Sequence, residues 1–430
     1  MKVRFIYAAF TRHAEDHPEL LESVPCDEYF GPPSLGIASI AAVTPKDWDL
    51  DFRDDRFEEV GFDDDVDLVA ISCFTPSGKR ALELADTFRA HGKKVVMGGI
   101  FPSAMPELAL EHADAVVQGE GEGVWHEVLA ATRRGELKGL YQAKSPVDPA
   151  TLPLPRVDLY LDKECERYRP DDYPVQLSRG CPLRCEACAI PLSLGRKMRN
   201  LSIEHCLGQI DQLGKRGKLA SLTEDTSFFP GAPRRHLENL LDALIERGTE
   251  AAVSYVGISM PMILAADEVL FEKLHKAGVR MFYLVGGFDP ITKGAFTGKN
   301  DQALERAYAA IKRSLDHGID PYTSFLVGNE DDDEGVFDRM LDFGQRSGLR
   351  KAEFAIRTPY PGTPVWHTML EQDRILHREW NRYNDANVVF KPAQMSPERL
   401  QEGYLYLWKE FYKERENLTK LDHRERTIQF

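Results

Sequence analysis

The alternation of short apolar runs with longer amphipathic stretches limits this chain to α/β folds. The strands predicted in residues 1–135 are VRFIYAAF, the run around WDLDF, VDLVAISCF, KKVVMGG and ADAVVQG. The last three are nearly continuous apolar runs, which is typical of parallel strands that are buried on both faces. KRALELADTFRAHG lies between two of them, with apolar residues at helical spacing and Gly92 where the helix should end. This βαβ rhythm predicts a doubly wound, Rossmann-like parallel sheet.

A second βα series begins directly before the cysteine-rich stretch. Its predicted strands are YPVQLS, LASLTED, AAVSYVGI, RMFYLVGG, PYTSFLVG and AEFAIRT. The helical stretches that separate them include HLENLLDALIERG, DEVLFEKLHKAG and LERAYAAIKRSLDHG. About six parallel βα units form most of a TIM barrel, so the sequence predicts a partial (β/α)6 barrel.

The composition of residues 145–172 separates the two series. This stretch holds five prolines and many charges, as expected of a linker. The predicted organisation is a Rossmann-like domain (1–144), a linker (145–172), a partial barrel (173–370) and a C-terminal helical segment (371–430). A chain of 430 residues is long enough for two or three domains.

Composition excludes several classes of protein. The net charge is -15 and no basic stripe is present, which argues against nucleic acid as a partner. No apolar run reaches the ~18 residues of a transmembrane helix, and the N-terminal apolar stretch is too short for a secretory signal. Seven cysteines at irregular spacing do not form a disulfide framework, so we expect a reducing, cytoplasmic compartment.

Three of the seven cysteines lie within eight positions, in SRGCPLRCEACAIP. Cys181, Cys185 and Cys188 have the spacing C-x3-C-x2-C, in a loop that follows the first strand of the second series. Three thiolates in one loop can ligate three irons of a [4Fe–4S] cluster and leave the fourth iron open. The spacing therefore favours a cluster with a free coordination site.

Two other interpretations of these cysteines stay open. A structural zinc site needs a fourth Cys or His, and the nearest candidates are Cys165, His205 and Cys206. None of these candidates lies in a second cysteine knuckle. The second alternative is that the three cysteines are free thiols with no common ligand.

A strand, this cysteine loop and a partial barrel together resemble the radical S-adenosylmethionine (SAM) superfamily. The segments that resemble its group with an N-terminal cobalamin-binding domain are LPLPRVDLY, QLSRGCP, AGVRMFYLVGG, HGIDPYTSFLVGNEDDDEGVF, TPYPGTPVW and QMSPERL. Within that group the chain is most similar to the branch that acts on hopanoids and bacteriochlorophylls. The resemblance covers almost the whole chain.

The resemblance implies a cobalamin-dependent radical SAM methyltransferase. Such an enzyme would methylate an unactivated carbon of a small, lipid-like or natural-product substrate, through a 5′-deoxyadenosyl radical and methylcobalamin. The implied cofactors are a [4Fe–4S] cluster, SAM and cobalamin, and the implied partner is an electron donor such as flavodoxin or ferredoxin. The alternatives are radical cyclisation, rearrangement or another bond-forming reaction, with or without cobalamin, and a non-catalytic protein stapled by a metal.

The SAM site is predicted at the strand ends of the second series. Glu224 and Asp225 end one strand, in LTEDTSFF, where relatives carry an acidic pair; a helix-capping role is the alternative. Ser254 and Arg357 are expected to point from strand ends into the cavity, and an arginine there could pair with a carboxylate. Gly286 and Gly287 occupy the strand end that reads Glu-Ser in many relatives.

The cobalamin site is predicted at the strand ends of the first series. Serine and threonine hydroxyl groups can bond the nucleotide tail, and glycines let the backbone approach a cofactor closely. The predicted cobalamin-binding residues are Ser72, Thr75, Gly98, Gly99, Gly119 and Glu120. The alternative is that these glycines serve only tight βα turns.

The stretch DFRDDRFEEV follows the second strand, where many cobalamin domains carry a histidine that ligates cobalt. It holds Arg53 and Arg56 but no histidine. A guanidinium stays protonated and is a poor metal ligand. The sequence therefore predicts either cobalamin without a histidine ligand or no cobalamin.

Overall fold

The computed structural model describes residues 1–22, 31–222, 228–249, 251–285 and 294–413. Within these ranges the chain forms two six-stranded sheets and one short hairpin. All strand pairs of both large sheets are parallel.

The first sheet has the strand order β2-β1-β3-β4-β5-β6. Its strands are β1 (Lys2–Tyr7), β2 (Asp49–Asp54), β3 (Leu68–Ser72), β4 (Val95–Gly98), β5 (Ala115–Gln118) and β6 (Gly139–Gln142). Helices cover both faces, and the central strands are almost fully buried. The prediction of a doubly wound sheet is confirmed. Strand β6, which is short and half exposed, escaped the sequence analysis because its side chains show no apolar run.

The second sheet is the partial barrel. Its strand order is β14-β13-β12-β11-β10-β7, so successive strands are neighbours apart from the short hairpin. The strands are β7 (Asp172–Pro174), β10 (Leu219–Leu222), β11 (Val253–Gly257), β12 (Met281–Val285), β13 (Asp320–Val327) and β14 (Lys351–Ile356). Six parallel strands in chain order confirm the partial (β/α)6 barrel.

A two-residue hairpin encloses the cysteine loop. It pairs β8 (Ser178–Arg179) with β9 (Arg199–Asn200) in antiparallel fashion. Two-residue strands carry no periodicity, so the sequence did not reveal this hairpin. It nevertheless fixes where the loop leaves and rejoins the rest of the chain.

The helices connect the strands and cover the sheets. They are α1 (His13–Asp16), α2 (Gly36–Val43), α3 (Gly78–Ala90), α4 (Ile100–Ala104), α5 (Pro106–His112), α6 (Trp125–Arg133), α7 (Asp158–Leu161), α8 (Ile190–Leu194), α9 (Ile203–Gly214), α10 (Ala232–Glu246), α11 (Met260–Ala265), α12 (Glu268–Lys276), α13 (Asp301–Asp316), α14 (Val336–Ser347), α15 (Pro364–Glu371) and α16 (Pro397–Tyr412). Among the described residues, none of these helices has the length and apolarity needed to cross a membrane.

Helix α16 covers the outer edge of the partial barrel. Trp408 and Phe411 pack edge-on against Phe354 of β14, with ring centroids 5.4 and 5.6 Å apart. The hydroxyl of Tyr412 donates to the carbonyl of Ala352 and accepts from its amide. An open strand edge invites unwanted pairing, and this helix blocks it. The aromatic residues of the C-terminal segment thus serve packing.

Candidate functional site

A cavity of about 570 Å³ opens at the carboxyl edge of the first sheet. Ligands of doubly wound sheets bind at this edge. The first sheet and its loops contribute many lining residues, including Tyr7, Ser72, Gly98, Gly99, Gly119 and Glu120. The second βα series contributes residues from before and after the cysteine loop: Pro174, Val175, Gln176, Arg179, Ile190, Ser193 and Leu194. The cavity therefore lies between the predicted cobalamin region and the segments on either side of the cysteine loop. Cys181, Cys185, Cys188 and Arg357 are not among the described residues that line it.

Two adjacent glycines at the end of β4 do different jobs. A Cβ atom on Gly98 would meet only Val117, at 3.9 Å, so this position opens onto the cavity. Gly99 has φ +108° and a Cβ there would lie 2.4 Å from the carbonyl oxygen of Cys73. The backbone itself requires glycine at position 99. Only Gly98 leaves space that a ligand can use.

The predicted cobalamin-binding residues are not all at the cavity. Ser72, Gly98, Gly99, Gly119 and Glu120 line it. Thr75 is not among the described residues that line the cavity; it begins a buried single turn of 3-10 helix (Thr75–Ser77). Cys73 and Phe74, which directly follow β3, do line the cavity, and the role of Thr75 stays a prediction.

The arginines that replace a cobalt-ligating histidine are held by carboxylates. Arg56 donates from Nε and Nη2 to Asp54, at 2.8 and 2.6 Å, and its guanidinium lies over the ring of Tyr7. Burial opposes the charge, but the Asp54 carboxylate raises the pKa of Arg56 above its ordinary value. Arg53 lies 3.4 Å from Asp51. None of the described residues that line the cavity is a histidine.

The cysteine loop has a fixed entrance. Gly180 has φ +81°, and a Cβ there would lie 2.5 Å from the carbonyl oxygen of Lys197, so a side chain is excluded before the first cysteine. The amide of Cys181 donates to the carbonyl of Gly195 at 3.1 Å. Cys181 is buried, whereas Cys185 and Cys188 are partly exposed. Burial, together with the nearby Cys181, raises the pKa of the Cys185 thiol.

The three thiols of the loop have the donor chemistry of a [4Fe–4S] cluster. In the part of the chain that the structure describes, no three Cys, His, Asp or Glu side chains converge on one metal position. Structural zinc needs four ligands around one point. A [4Fe–4S] cluster instead places each thiolate on a different iron, so the sulfurs need not converge. Cys181, Cys185 and Cys188 supply the three thiolate donors that such a cluster takes.

Arg357 connects the end of β14 with the cysteine loop. It follows the strand directly, is buried, and donates from Nη2 to Glu186 at 3.0 Å. Glu186 lies between the second and third cysteines, and its carbonyl accepts from the amide of Val365 at 3.1 Å. Glu330 lies 3.6 Å from the other side of the guanidinium. Arg357 is thus a buried cation beside the loop, with a carboxylate on each side of its guanidinium.

The structure corrects the expected position of Ser254. It is the second residue of β11, at the amino end of the strand, and its hydroxyl donates to the carbonyl of Ala220 at 3.2 Å. It also hydrogen-bonds Asp172, the first residue of β7. Ser254 therefore lies at the edge opposite to the one where ligands of a parallel sheet bind. Glu224, Asp225, Gly286 and Gly287 lie outside the described residues.

Sequence reasoning missed a polar cluster on the inner face of the barrel. Tyr283 of β12 and Tyr322 of β13 are paired in the sheet, and both hydroxyls donate to Glu353 of β14, at 2.6 and 2.9 Å. Burial raises the pKa of both tyrosines, so they stay neutral donors. The sequence signal for this cluster was a tyrosine on each of two adjacent strands. Only the register of the sheet shows that their hydroxyl groups reach the same carboxylate.

Two family models match the chain. The B12 binding domain matches residues 29–129, and the radical SAM superfamily matches residues 175–344. The first range holds the cavity edge of the first sheet, and the second holds the cysteine loop and most of the barrel. The cofactors implied by the sequence are those of these two families.

Curated relatives match over most of their length. Bacteriochlorophyllide d C-12(1)-methyltransferase of Chlorobaculum tepidum is 27% identical over 88% of this chain and 82% of its own. Hopanoid C-2 methylase of Rhodopseudomonas palustris is 22% identical over 90% of this chain and 73% of its own. Both names describe methylation at a numbered carbon position.

Solved structures share the fold. The radical SAM methyltransferase TsrM of Kitasatospora setae, with cobalamin and a [4Fe–4S] cluster bound, superposes with a TM-score of 0.66 at 17% identity. The alignment covers 94% of this chain and 85% of that one. The same protein with tryptophan and a SAM analog bound gives a TM-score of 0.65, over 86% and 76% of the two chains.

Proposed function

The chain belongs to the cobalamin-binding branch of the radical SAM superfamily, and from this membership we propose that it methylates an unactivated carbon atom of a lipid-like or tetrapyrrole-like substrate. The substrate class rests on the relatives with bacteriochlorophyllide and hopanoid names. Cyclisation and rearrangement remain the alternative outcomes of the same radical chemistry.

The observation that supports the proposal most is the shared wall of the cavity. Ile190, Ser193 and Leu194 of α8 line the cavity, and α8 begins two residues after Cys188. The other wall is the carboxyl edge of the B12-binding sheet. Methyl transfer needs both cofactors close to one substrate carbon, and this layout brings their binding regions together.

Each group has residues suited to hold it. The cysteines of the loop would bind the cluster, and Arg357 would pair with the carboxylate of SAM. Ser72, Gly98 and Gly119 would contact cobalamin through hydroxyl and backbone groups. When bound, the cluster supplies the electron that cleaves SAM and cobalamin supplies the methyl group. The chain's own task is to orient these groups and exclude water.

Further parts of this proposal extend beyond the described geometry. We include Glu224, Asp225, Gly286 and Gly287 as SAM contacts on the strength of the family resemblance. We also propose the domain division 1–144, 145–172, 173–370 and 371–430. A cytoplasmic location and a flavodoxin or ferredoxin as electron donor complete the proposal.

The test is an anaerobic reconstitution with iron, sulfide and cobalamin, followed by product analysis with candidate substrates. Methyl transfer of this kind consumes two SAM molecules and yields S-adenosylhomocysteine, 5′-deoxyadenosine and a methylated product. 5′-Deoxyadenosine with a product of unchanged carbon count would favour cyclisation or rearrangement instead. Absence of iron and sulfide after reconstitution would support the non-catalytic alternative.

The state of cobalt provides a second test. No histidine lines the described cavity wall, and the Arg56 guanidinium is held by Asp54. The electron paramagnetic resonance spectrum of bound cob(II)alamin should therefore lack nitrogen splitting from a lower ligand. A clear three-line splitting would contradict this assignment.

A further inference from the structure

A buried arginine joins the cysteine loop to the first sheet. Arg179 lies two residues before Cys181, in β8. Its Nη1 donates to Glu120 at 3.2 Å and its Nη2 to Glu122 at 2.6 Å. Both glutamates belong to the segment that follows β5, whose carboxyl end lines the cavity. The Arg179 side chain thus connects the start of the cysteine loop with the carboxyl edge of the first sheet.

A second arginine strengthens this connection. Arg199 of β9 is paired with Arg179 in the hairpin, and its Nη1 donates to Oε2 of Glu120 at 2.9 Å. Its Nη2 donates to the carbonyl of Leu194, the last residue of α8, at 2.8 Å. Through Arg199, both the hairpin and helix α8, which follows the cysteine loop, are connected to Glu120. We call Glu120, Glu122, Arg179 and Arg199 the charged joint.

The charged joint is well shielded from water. The side chains of Arg179 and Glu120 are 5% and 4% exposed, and that of Glu122 is 7% exposed. In such a setting an unpaired charge is strongly unfavourable, so the groups hold each other in place. The planar fork of arginine adds a directional constraint that lysine lacks.

Glu120 has no acceptor capacity to spare for a ligand. One oxygen accepts from Arg179 and Arg199, and the other accepts from Arg199 and from the amide of Val147 at 2.9 Å. This residue was predicted to bind cobalamin. Its contacts instead run along the boundary between the two units.

We propose that Arg179 is a positioning residue, which fixes the cysteine loop against the cavity through Glu120 and Glu122. The charged joint then sets the spacing between the cluster and cobalamin rather than the affinity for either. The inference rests on the two-cofactor function proposed above.

The test compares two variants of the charged joint with a matched control. Glu122→Gln keeps the shape but removes one charge, and Arg179→Lys keeps the charge but removes the fork. The control, Asp51→Asn, weakens a partly buried pair of the first sheet, in which Arg4 donates from Nε to Asp51 at 2.7 Å. Asp51 is not among the described residues that line the cavity.

The measurement is pulsed electron paramagnetic resonance of the full chain, reconstituted and reduced so that the cluster and cob(II)alamin are both paramagnetic. The wild type and Asp51→Asn should give one narrow distance between the two centres. Glu122→Gln and Arg179→Lys should lose that single distance, while iron, sulfide and cobalamin contents stay at wild-type values. Loss of the cluster in these two variants, with a loaded control, would contradict the proposal, because the charged joint would then decide whether the cluster binds rather than where it lies.

Two further results would overturn the proposal. An unchanged distance in both variants, with circular dichroism showing folded protein, would mean that the charged joint does not set the spacing. A loss of cobalamin affinity at unchanged distance would mean that the glutamates serve the cofactor. A wild type that binds only one of the two cofactors would instead refute the two-cofactor function, which separates the two failures.

Discussion

The carboxyl edges of the two sheets differ in what they present. The cavity edge of the first sheet offers backbone at Gly98, Gly99 and Gly119, and its carboxylates Glu120 and Glu122 are already paired with arginines. The edge of the second sheet carries charge, with Arg357 between Glu186 and Glu330. Both edges have the same parallel architecture, so the difference arises from the residues placed at the strand ends.

The difference matches the size and charge of the proposed ligands. A large, flat cofactor needs an open surface that lets backbone approach it, and glycine provides one. A small amino acid with a carboxylate needs a directional cation, and a buried arginine provides one. The proposed sites place one cofactor at each edge, and four experiments can break or sharpen this proposal.

The largest effect is expected from the cysteine loop. Replacing Cys181, Cys185 and Cys188 together by Ala should abolish both the broad absorbance of the cluster and the formation of 5′-deoxyadenosine, because no thiolate is left to hold iron. Cys165→Ala, at an exposed position, is the control and should keep both. A cluster retained in the triple variant would show that the second edge has other ligands.

The next effect is expected at Gly98. A leucine there enters cavity space without backbone strain, so cobalamin affinity should fall at least about tenfold, or ~1.4 kcal/mol. Iron content and reductive cleavage of SAM should persist, while methylation stops. Titration of cobalamin by visible absorbance measures the affinity.

Gly214→Leu is the matched control for Gly98. Gly214 ends α9, and a Cβ there has open space around it. It should leave cobalamin binding unchanged. Equal loss in both variants would mean that Gly98→Leu acts through stability and not through the cavity.

A smaller effect is expected at Arg357. Arg357→Gln removes a charged hydrogen-bond donor, which contributes about 1.5–3 kcal/mol, so the dissociation constant of SAM should rise roughly ten- to a hundredfold. Arg374→Gln, which removes another partner of Glu330, is the control. Equilibrium dialysis with labelled SAM measures both. If the two variants bind SAM alike, the charge at the second edge has another purpose.

The smallest effect concerns the amino edge of the barrel. Burial raises the pKa of Asp172 from 3.8 to about 6, outweighing its hydrogen bonds with Ser221 and Ser254. The folded state thus favours the protonated acid, whose stabilising contribution is complete below 3.8 and lost as the pH rises through about 6. Relative to the wild type, Asp172→Asn should gain up to roughly 3 kcal/mol in free energy of unfolding between pH 4 and pH 7.

Urea denaturation at several pH values measures this gain. Asp49→Asn is the control, because Asp49 is also the first residue of a strand but is exposed. SAM affinity should not change in either variant. Weaker SAM binding by Asp172→Asn would mean that Ser254 and Asp172 belong to the SAM site.

The sequence predicted the features that depend on local patterns. Apolar strands and amphipathic helices predicted the two sheets, and the spacing of the cysteines identified the loop. Strand ends were placed less well. Ser254 looks central in AAVSYVGI, but β11 begins only at Val253, next to a register shift between Ala220 and Ser221.

Long-range pairings were beyond the sequence. Glu120 and Arg179 are 59 residues apart and belong to different units, so no periodicity links them. Each lies in a motif that the sequence analysis singled out for another reason. Gly99 shows the same limit, because its need for glycine comes from the carbonyl of Cys73, 26 residues earlier in the chain.

The shared wall of the cavity has a consequence for biosynthesis. The first sheet is complete in sequence at Gln142, but part of the cavity wall comes from residues 174–176 and from α8. A nascent chain can therefore build the sheet on the ribosome well before it can enclose a ligand there. Because α8 directly follows the cysteine loop, the codons that complete this wall come just after those of the last cysteine. Folding of the first sheet and closure of its cavity are thus separate steps in the synthesis of each molecule.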